Sequence, residues 1–302
     1  MPESGAVADA SVIVVAQALQ AAEWTLGALA SAREQAEGGL RVELLLLARP
    51  QEAAGLGNAA QGLTLVDPGE RAPGAARNLA LERCSAPFVL LVEPGERLAP
   101  GALARHVEAL RSQPQLALSY GRTAVQDPGG HVRLRPVQGR GGALLRPLLR
   151  DRHLLASSAA ALWRRAVLPR PAWGDWRSPE ALRLDLGLRV ARGGAQAVFH
   201  PAVVAEHADA ARDQGSLEEL VKVLLSVLYA PQPLDPALEP VARKRLARHL
   251  LRLGKHHHRA GEAERAQVFF DQAVKAAPGY FRARRWQFMS WLSRLLQGGG
   301  EA

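Results

Sequence analysis

The chain has 302 residues, 48% of them apolar and 22% charged, with a net charge of +9. That length buries a sizeable core, so one large domain or a domain with a small appendage is expected. The composition is ordinary for a soluble globular protein. The most apolar runs, "SVIVVA", "VELLLLA" and "FVLLV", fall far short of the ~20 residues a spanning helix needs. The opening "MPESGAVADA" has neither a basic start nor an apolar core, so no secretory leader is expected. The single cysteine, Cys84, excludes an internal disulfide and fits a reducing cytoplasm.

Arginine carries almost all of the positive charge: the only lysines are Lys222, Lys244, Lys255 and Lys275. This excess either attracts phosphate groups or the anionic inner face of a membrane, where peripheral contact is then expected, or reflects a coding bias toward Arg and Ala. No basic platform interleaved with aromatics is present, so nucleic acid is not an expected partner.

In chain order, "SVIVVA" (11–16) predicts a strand, "AAEWTLGALASAREQA" (21–36) a helix, "VELLLLA" (42–48) a buried strand and "LTLV" (63–66) a short one. "GAARNLALERC" (74–84) has helical spacing, "FVLLV" (88–92) is a strand, and "PGALARHVEALRSQ" (100–113) is a helix opened by proline. "LALSYGRTAVQD" (116–127) is a strand. Strands apolar on both faces and separated by helices mean parallel βα units in an open, doubly wound sheet, with ligands beyond the carboxyl ends of the strands. Residues 128–152, rich in Gly, Pro and Arg, predict a long mobile connection. "SSAAALWRRAVL" (157–168) reads as a strand running into a short helix. "SPEALRLDLGLRVARGG" (178–194) is a helix with Ser178 as its cap, and "AQAVFHPAVVAEHA" (195–208) is a last strand pair. From Ser216 the chain is helical, opening with the capping box "SLEE". Two domains are expected, 10–210 and an all-helical 216–297.

Within the helical part, Leu253, Gly254, His257, Gly261, Ala266, Phe270, Ala273 and Pro278 fall at the offsets of one tetratricopeptide unit of about 34 residues, over 247–280. One such unit cannot bury its own face, so it packs on the main domain or the final helix, or it serves a protein partner. The run Lys255-His256-His257-His258 invites a metal reading. Consecutive helical side chains point about 100° apart, so at most two could meet one ion.

The stretch "GAARNLALERCSAPFVLLVEPGERLAPGAL", with "SSAAALWRRAVL" and "LDLGLRVARGG", resembles the motif series of family 2 glycosyltransferases of the GT-A fold, over roughly residues 10–210. That resemblance implies a nucleotide-diphosphate sugar donor, a glycan or protein acceptor as in polysaccharide biosynthesis, and inversion at the anomeric carbon by a carboxylate base. It also implies Mg²⁺ or Mn²⁺ at an Asp-x-Asp turn, where the ion offsets the departing diphosphate. The family's paired aspartates after the second strand fall on Ala48 and Arg49. Its metal turn falls on Glu93, Gly95 and Glu96, and its Glu-Asp base on Leu182 and Arg183. Arg77, Asn78, Asp185 and His207 match. By the resemblance, Arg49, Arg77, Asn78 and Glu93 face the donor, and Glu93, Glu96 and His207 form the metal set. Asp185, three residues past Leu182 and so on the same helix face, is the matched carboxylate for catalysis, with Asp175 and Glu180 as nearby alternatives. Trp173 and Asp175 lie on the acceptor side. Three readings stay open at the turn: a metal site, a metal-free site in which Arg49 holds the diphosphate, or a Pro-Gly turn with two solvated glutamates. The functional classes are accordingly a working glycosyltransferase and a catalytically inactive descendant acting as a binding or scaffold module.

Overall fold

A computed structural model of the chain describes residues 7–16, 22–37, 39–127, 129–134, 141–150, 155, 157–208 and 214–298. It divides into two compact units, Met1–Ala210 and Ala211–Ala302.

The first unit begins with β1 (Ala10–Val15), α1 (Ala22–Glu37), β2 (Val42–Leu47), a short α2 (Pro50–Gly55), β3 (Thr64–Val66), α3 (Pro73–Arg83) and β4 (Phe88–Val92). β1 and β4 are buried along their whole length, which follows from strands apolar on both faces. β1 pairs in parallel with both β2 (Val12 opposite Leu44) and β4 (Val12 opposite Leu90), and β3 continues the parallel set beyond β2. The carboxyl ends of these strands therefore share one edge. Leu29 and Ala32 of α1 and Leu103, Val107 and Leu110 of α4 (Ala102–Ser112) cover one face of the sheet in a common core.

After β4 come β5 (Glu96–Leu98), α4, β6 (Leu116–Gln126), β7 (Val132–Leu134), β8 (Gly142–Ala143) and α5 (Leu145–Arg150). β9 (Ala161–Arg164), α6 (Pro179–Arg192) and β10 (Gln196–Ala208) complete the unit. β9 runs antiparallel between β4 and β6, β10 lies parallel to β6, and β5 closes the far edge antiparallel to β10. The sheet is thus mixed α/β and mostly parallel, with the order β3-β2-β1-β4-β9-β6-β10-β5.

Three local expectations change. The last strand pair is one strand, β10, whose register slips between His200 and Val203, where Pro201 has no N–H to give the ladder. The described part of the 128–152 connection carries β7, β8 and α5. Ser216 lies inside a helix that already includes Gln214, so "SLEE" does not cap it.

The second unit consists of α7 (Gln214–Leu228), α8 (Glu239–Arg259), α9 (Ala263–Ala276) and α10 (Phe281–Gly298). α8 and α9 form a hairpin. Leu253, Gly254 and His257 from one helix and Ala266, Phe270 and Ala273 from the other are buried. Gly254 is small for a steric reason: a Cβ there would lie 2.4 Å from the Phe270 ring. His257 stacks on Phe269 at 5.0 Å, and its Nδ1 sits 2.6 Å from Glu262 Oε2. His258 meets Trp286 edge-on at 5.7 Å. The histidine run is therefore engaged in packing.

In the first unit, a chain of three side chains, His106 and Ser119 buried and His200 half-buried, ties α4 to the sheet. His106 Nδ1 lies 2.8 Å from Ser119 Oγ, which lies 2.9 Å from His200 Nε2. Burial, with His200 and Arg105 nearby, pushes His106 down to about 3, and burial also lowers His200. Both shifts depress the folded-state value, so the stability they confer is present above the unfolded value near 6.5 and is lost as pH falls toward 3. From His106 alone we expect a loss of about 2 kcal/mol between pH 6.5 and 5. His106→Gln keeps a polar partner for Ser119 without titrating. It should be less stable at neutral pH but show a flatter pH profile in urea titrations at the two pH values. An unchanged profile would count against this account.

Candidate functional site

The edge defined by the carboxyl ends of β1, β2 and β4 carries Arg49 after β2 and the turn Glu93-Pro94-Gly95-Glu96 after β4. The turn is type II by its chemistry: Pro94 occupies the second position, and Gly95 takes φ +84° in the third. The Glu96 N–H donates to Glu93 O at 3.0 Å, and the Ala208 N–H at the end of β10 donates to Gly95 O at 2.9 Å.

Neither glutamate is solvated. Arg77 from α3 and Glu93 are only 1% and 2% exposed. The guanidinium grips the carboxylate at two points, Nε to Oε1 at 2.8 Å and Nη2 to Oε2, while Nη1 donates to Pro73 O at 2.8 Å. Glu96 is equally buried. Its Oε1 accepts from the Ser158 N–H at 2.9 Å and lies 3.4 Å from Arg183 Nη1, and its Oε2 accepts from the N–H groups of Ala159 at 3.0 Å and Glu93 at 3.1 Å. Burial raises the Glu96 carboxyl above its usual range, Arg183 opposes that, and the charge of Glu93 adds to it. Two guanidiniums and two carboxyl groups thus face one another in the fold.

A divalent ion does not fit this arrangement. All four carboxylate oxygens already face donors, and Gly95 offers no side chain. Among the described residues no group of three or more His, Cys, Asp or Glu is disposed to hold a metal. His207 stands directly across the β5–β10 pairing from Glu96, but the glutamate oxygens turn inward toward Arg77, Arg183 and the 158–159 backbone. The expected metal set of Glu93, Glu96 and His207 is therefore not assembled, because burial requires these carboxylates to have partners within the fold.

The remaining candidates separate into two places. Asn78, next to Arg77, clamps the backbone of Trp173: its Nδ2 donates to Trp173 O at 2.8 Å and its Oδ1 accepts from the Trp173 N–H at 2.9 Å. The Trp173 ring is buried beside a cavity of about 20 Å³ that also touches Ser158 and Arg183, room for about one water. Asp185 on α6 is buried and pairs with Arg189 at 2.9 Å; Arg189 in turn donates to Pro171 O at 2.9 Å and to Ala172 O. Asp185 and Asn78 thus hold the 171–173 segment from two helices. Asp175 and Arg49 are exposed, and Arg49 makes only a loose 3.8 Å contact with the exposed Glu70. Arg183, at a position where the motif series has an acid, supplies the cation beside Glu96. The available signal was its position: a basic residue replacing an acid where a second acidic motif had also changed.

The arrangement of this sheet is shared with solved proteins. TarS 1–349 of S. aureus aligns with a TM-score of 0.59 at 14% identity, covering 93% of this chain and 88% of TarS 1–349. Mannosyltransferase PcManGT of Pyrobaculum calidifontis aligns with a TM-score of 0.55 at 17% identity, covering 95% and 85%. The chain has the GT-A-like glycosyltransferase fold. TarS 1–349 has been solved with UDP-GlcNAc and with UDP, and PcManGT with GDP-Man and Mn²⁺. No protein-family model matches the sequence, and no curated protein matches it.

The Arg77–Glu93 pair generates a direct test. Removing one partner of a buried, bidentate ion pair leaves the other uncompensated and costs about 3–5 kcal/mol. Glu93→Gln should lower the urea midpoint accordingly, and the double replacement Arg77→Met with Glu93→Leu should recover much of the loss. Wild-type stability in Glu93→Gln would instead mean a solvated turn.

Proposed function

We propose that this chain binds a nucleotide-diphosphate sugar at the carboxyl ends of β1, β2 and β4 and transfers the sugar to a glycan or protein hydroxyl without a divalent ion. The observation that supports the metal-free form is that Arg77 and Arg183 occupy the two glutamates that the motif resemblance assigns to an ion, which leaves the diphosphate to other cations of the edge. The donor class rests on the shared fold and on the nucleotide sugars held by its structural neighbours. Arg49 is exposed after β2 and weakly engaged, which suits it to a diphosphate, since a guanidinium binds phosphate oxygens in pairs. In an inverting transfer the acceptor oxygen attacks the anomeric carbon as the bond to the diphosphate breaks, and the acceptor proton passes to a carboxylate. Asp185 is the carboxylate the motif resemblance assigns to that step.

A second reading has its own observation. Asp185 is buried against Arg189 and supports the 171–173 segment, and Asn78 and Trp173 are engaged in the same support. This favours a descendant that keeps the donor pocket or only the fold, and acts as a binding or scaffold module. In that form the α8–α9 hairpin of tetratricopeptide character is the contact surface for a protein partner.

Calorimetry with UDP, GDP and dTDP, each with Mn²⁺ and with a chelator, separates these readings. The metal-free donor site predicts binding of at least one nucleotide with the same Kd in both conditions, and at least a tenfold loss in Arg49→Ala. Binding only with Mn²⁺ would refute the metal-free form. Affinities weaker than about millimolar for all three, or roughly −4 kcal/mol, would leave the scaffold reading. Where a nucleotide binds, release of free sugar or its transfer from the matching nucleotide sugar tells the enzyme from the pocket-bearing module.

A further inference from the structure

The last helix of the second unit has two unlike faces. Ala283 and Ser290 of α10 are buried, and Trp286 between them packs against Phe270 at 5.8 Å and receives the Lys255 ammonium at 4.6 Å. That side is used by the fold. On the opposite side Phe281 is 74% exposed, Phe288 59% and Trp291 47%. Phe281 and Phe288 are seven residues apart, so they point within about 20° of each other along the helix. Phe288 and Trp291 touch, their rings 5.9 Å apart. The aromatics thus form a ridge. Arg282, Arg284 and Arg285 are exposed on its flanks, and among the described residues none of the three forms an ion pair.

Along the chain through α10 the charge has one sign, and the acid that the structure places against the helix is Asp271 of α9, which accepts from Gln287 Nε2 at 2.9 Å. Between Asp271 and Glu301 there is no acidic residue, while Lys275, Arg282, Arg284, Arg285 and Arg294 are basic. Aromatics and arginine are also enriched at protein interfaces, but arginines with no acid among them in the helix call for a uniformly anionic partner surface. Aromatics standing between arginines match a surface apolar a few ångströms down and anionic at its top. Aromatic rings lodge at the acyl boundary, and arginine side chains reach back to phosphates. No helix among the described residues is long and apolar enough to cross a membrane, so this helix would lie on the bilayer.

We infer that α10 is an interfacial anchor: its Phe281–Phe288–Trp291 ridge inserts into an anionic phospholipid surface, and Arg282, Arg284 and Arg285 bind the headgroups. The inference uses the second unit alone and holds under either reading of the first. It assigns a role to the arginine excess in this part of the chain.

The test is sedimentation of the full chain with vesicles of phosphatidylcholine alone and of phosphatidylcholine mixed with phosphatidylglycerol. The expected result is partition onto the anionic vesicles only, weakened when salt rises from ~0.1 M to ~1 M as the Debye length shrinks from about 10 Å to about 3 Å. Each arginine neutralised among Arg282→Gln, Arg284→Gln and Arg285→Gln should lower partition about fivefold. Phe288→Ser with Trp291→Ser should lower it at least tenfold. These side chains are exposed, so the variants' melting curves should overlay that of the wild type. A variant that melts early is replaced by a measurement on the unaltered chain, quenching of tryptophan emission by brominated anionic lipid. Trp291→Phe, which keeps the aromatic ridge, should then lose most of the quenching but not the partition. Equal partition onto neutral vesicles, no partition, or a dimer that forms through α10 in place of lipid binding would each overturn the inference.

Discussion

The buried contact between Arg77 and Glu93 constrains everything near the turn after β4, and it does so for electrostatic reasons. A charge placed inside a protein must be neutralised and hydrogen-bonded where it sits, because water is not there to do so. Arg77 therefore fixes the first turn of α3 through Pro73 O and the end of β4 through Glu93. The backbone of Glu93 in turn donates to Glu96, whose oxygens collect the 158–159 amides and face Arg183. One ion pair thus leads to a second, and together they join α3, the β4–β5 turn, the approach to β9 and α6.

A second set of contacts works outward from the same helices. Asn78 replaces a missing strand neighbour for Trp173 by satisfying both its N–H and its carbonyl. Arg189, oriented by Asp185, covers the carbonyls of residues 171 and 172. A connecting segment buried at this depth has no other way to satisfy its backbone. Asn78 and Asp185, two of the residues that match the motif series, are thus also engaged in framework contacts, whereas Arg49 at the edge is less firmly engaged.

The two units use arginine in opposite ways. In the first, Arg77, Arg183 and Arg189 are drawn inward and matched to carboxylates or carbonyls, so their charge is spent within the fold. In the second, α10 presents three arginines and a line of aromatic rings outward, with no acidic residue near in sequence to offset them. The overall charge of +9 is therefore a poor guide to any single surface, since its effect depends on which guanidiniums are already paired.

Periodicity alone determined the alternation of buried strands and helices from β1 to α4, the helix capped by Ser178, and the α8–α9 hairpin. Each is a local pattern of apolar spacing or a cap a few residues away. Motif order suggested the sheet class before any contact was known. Whether Glu93 and Glu96 would be ligands, solvated turn residues or buried anions was not decided locally, because the answer lay with Arg77, 16 residues before Glu93, and with Arg183, 87 residues after Glu96. The merging of the last strand pair into β10 likewise depended on β6 and β5 lying on either side of it. Apolar burial needs only the right kind of residue at the right period, whereas a buried charge needs one particular partner at bonding distance. That partner is chosen by the tertiary structure.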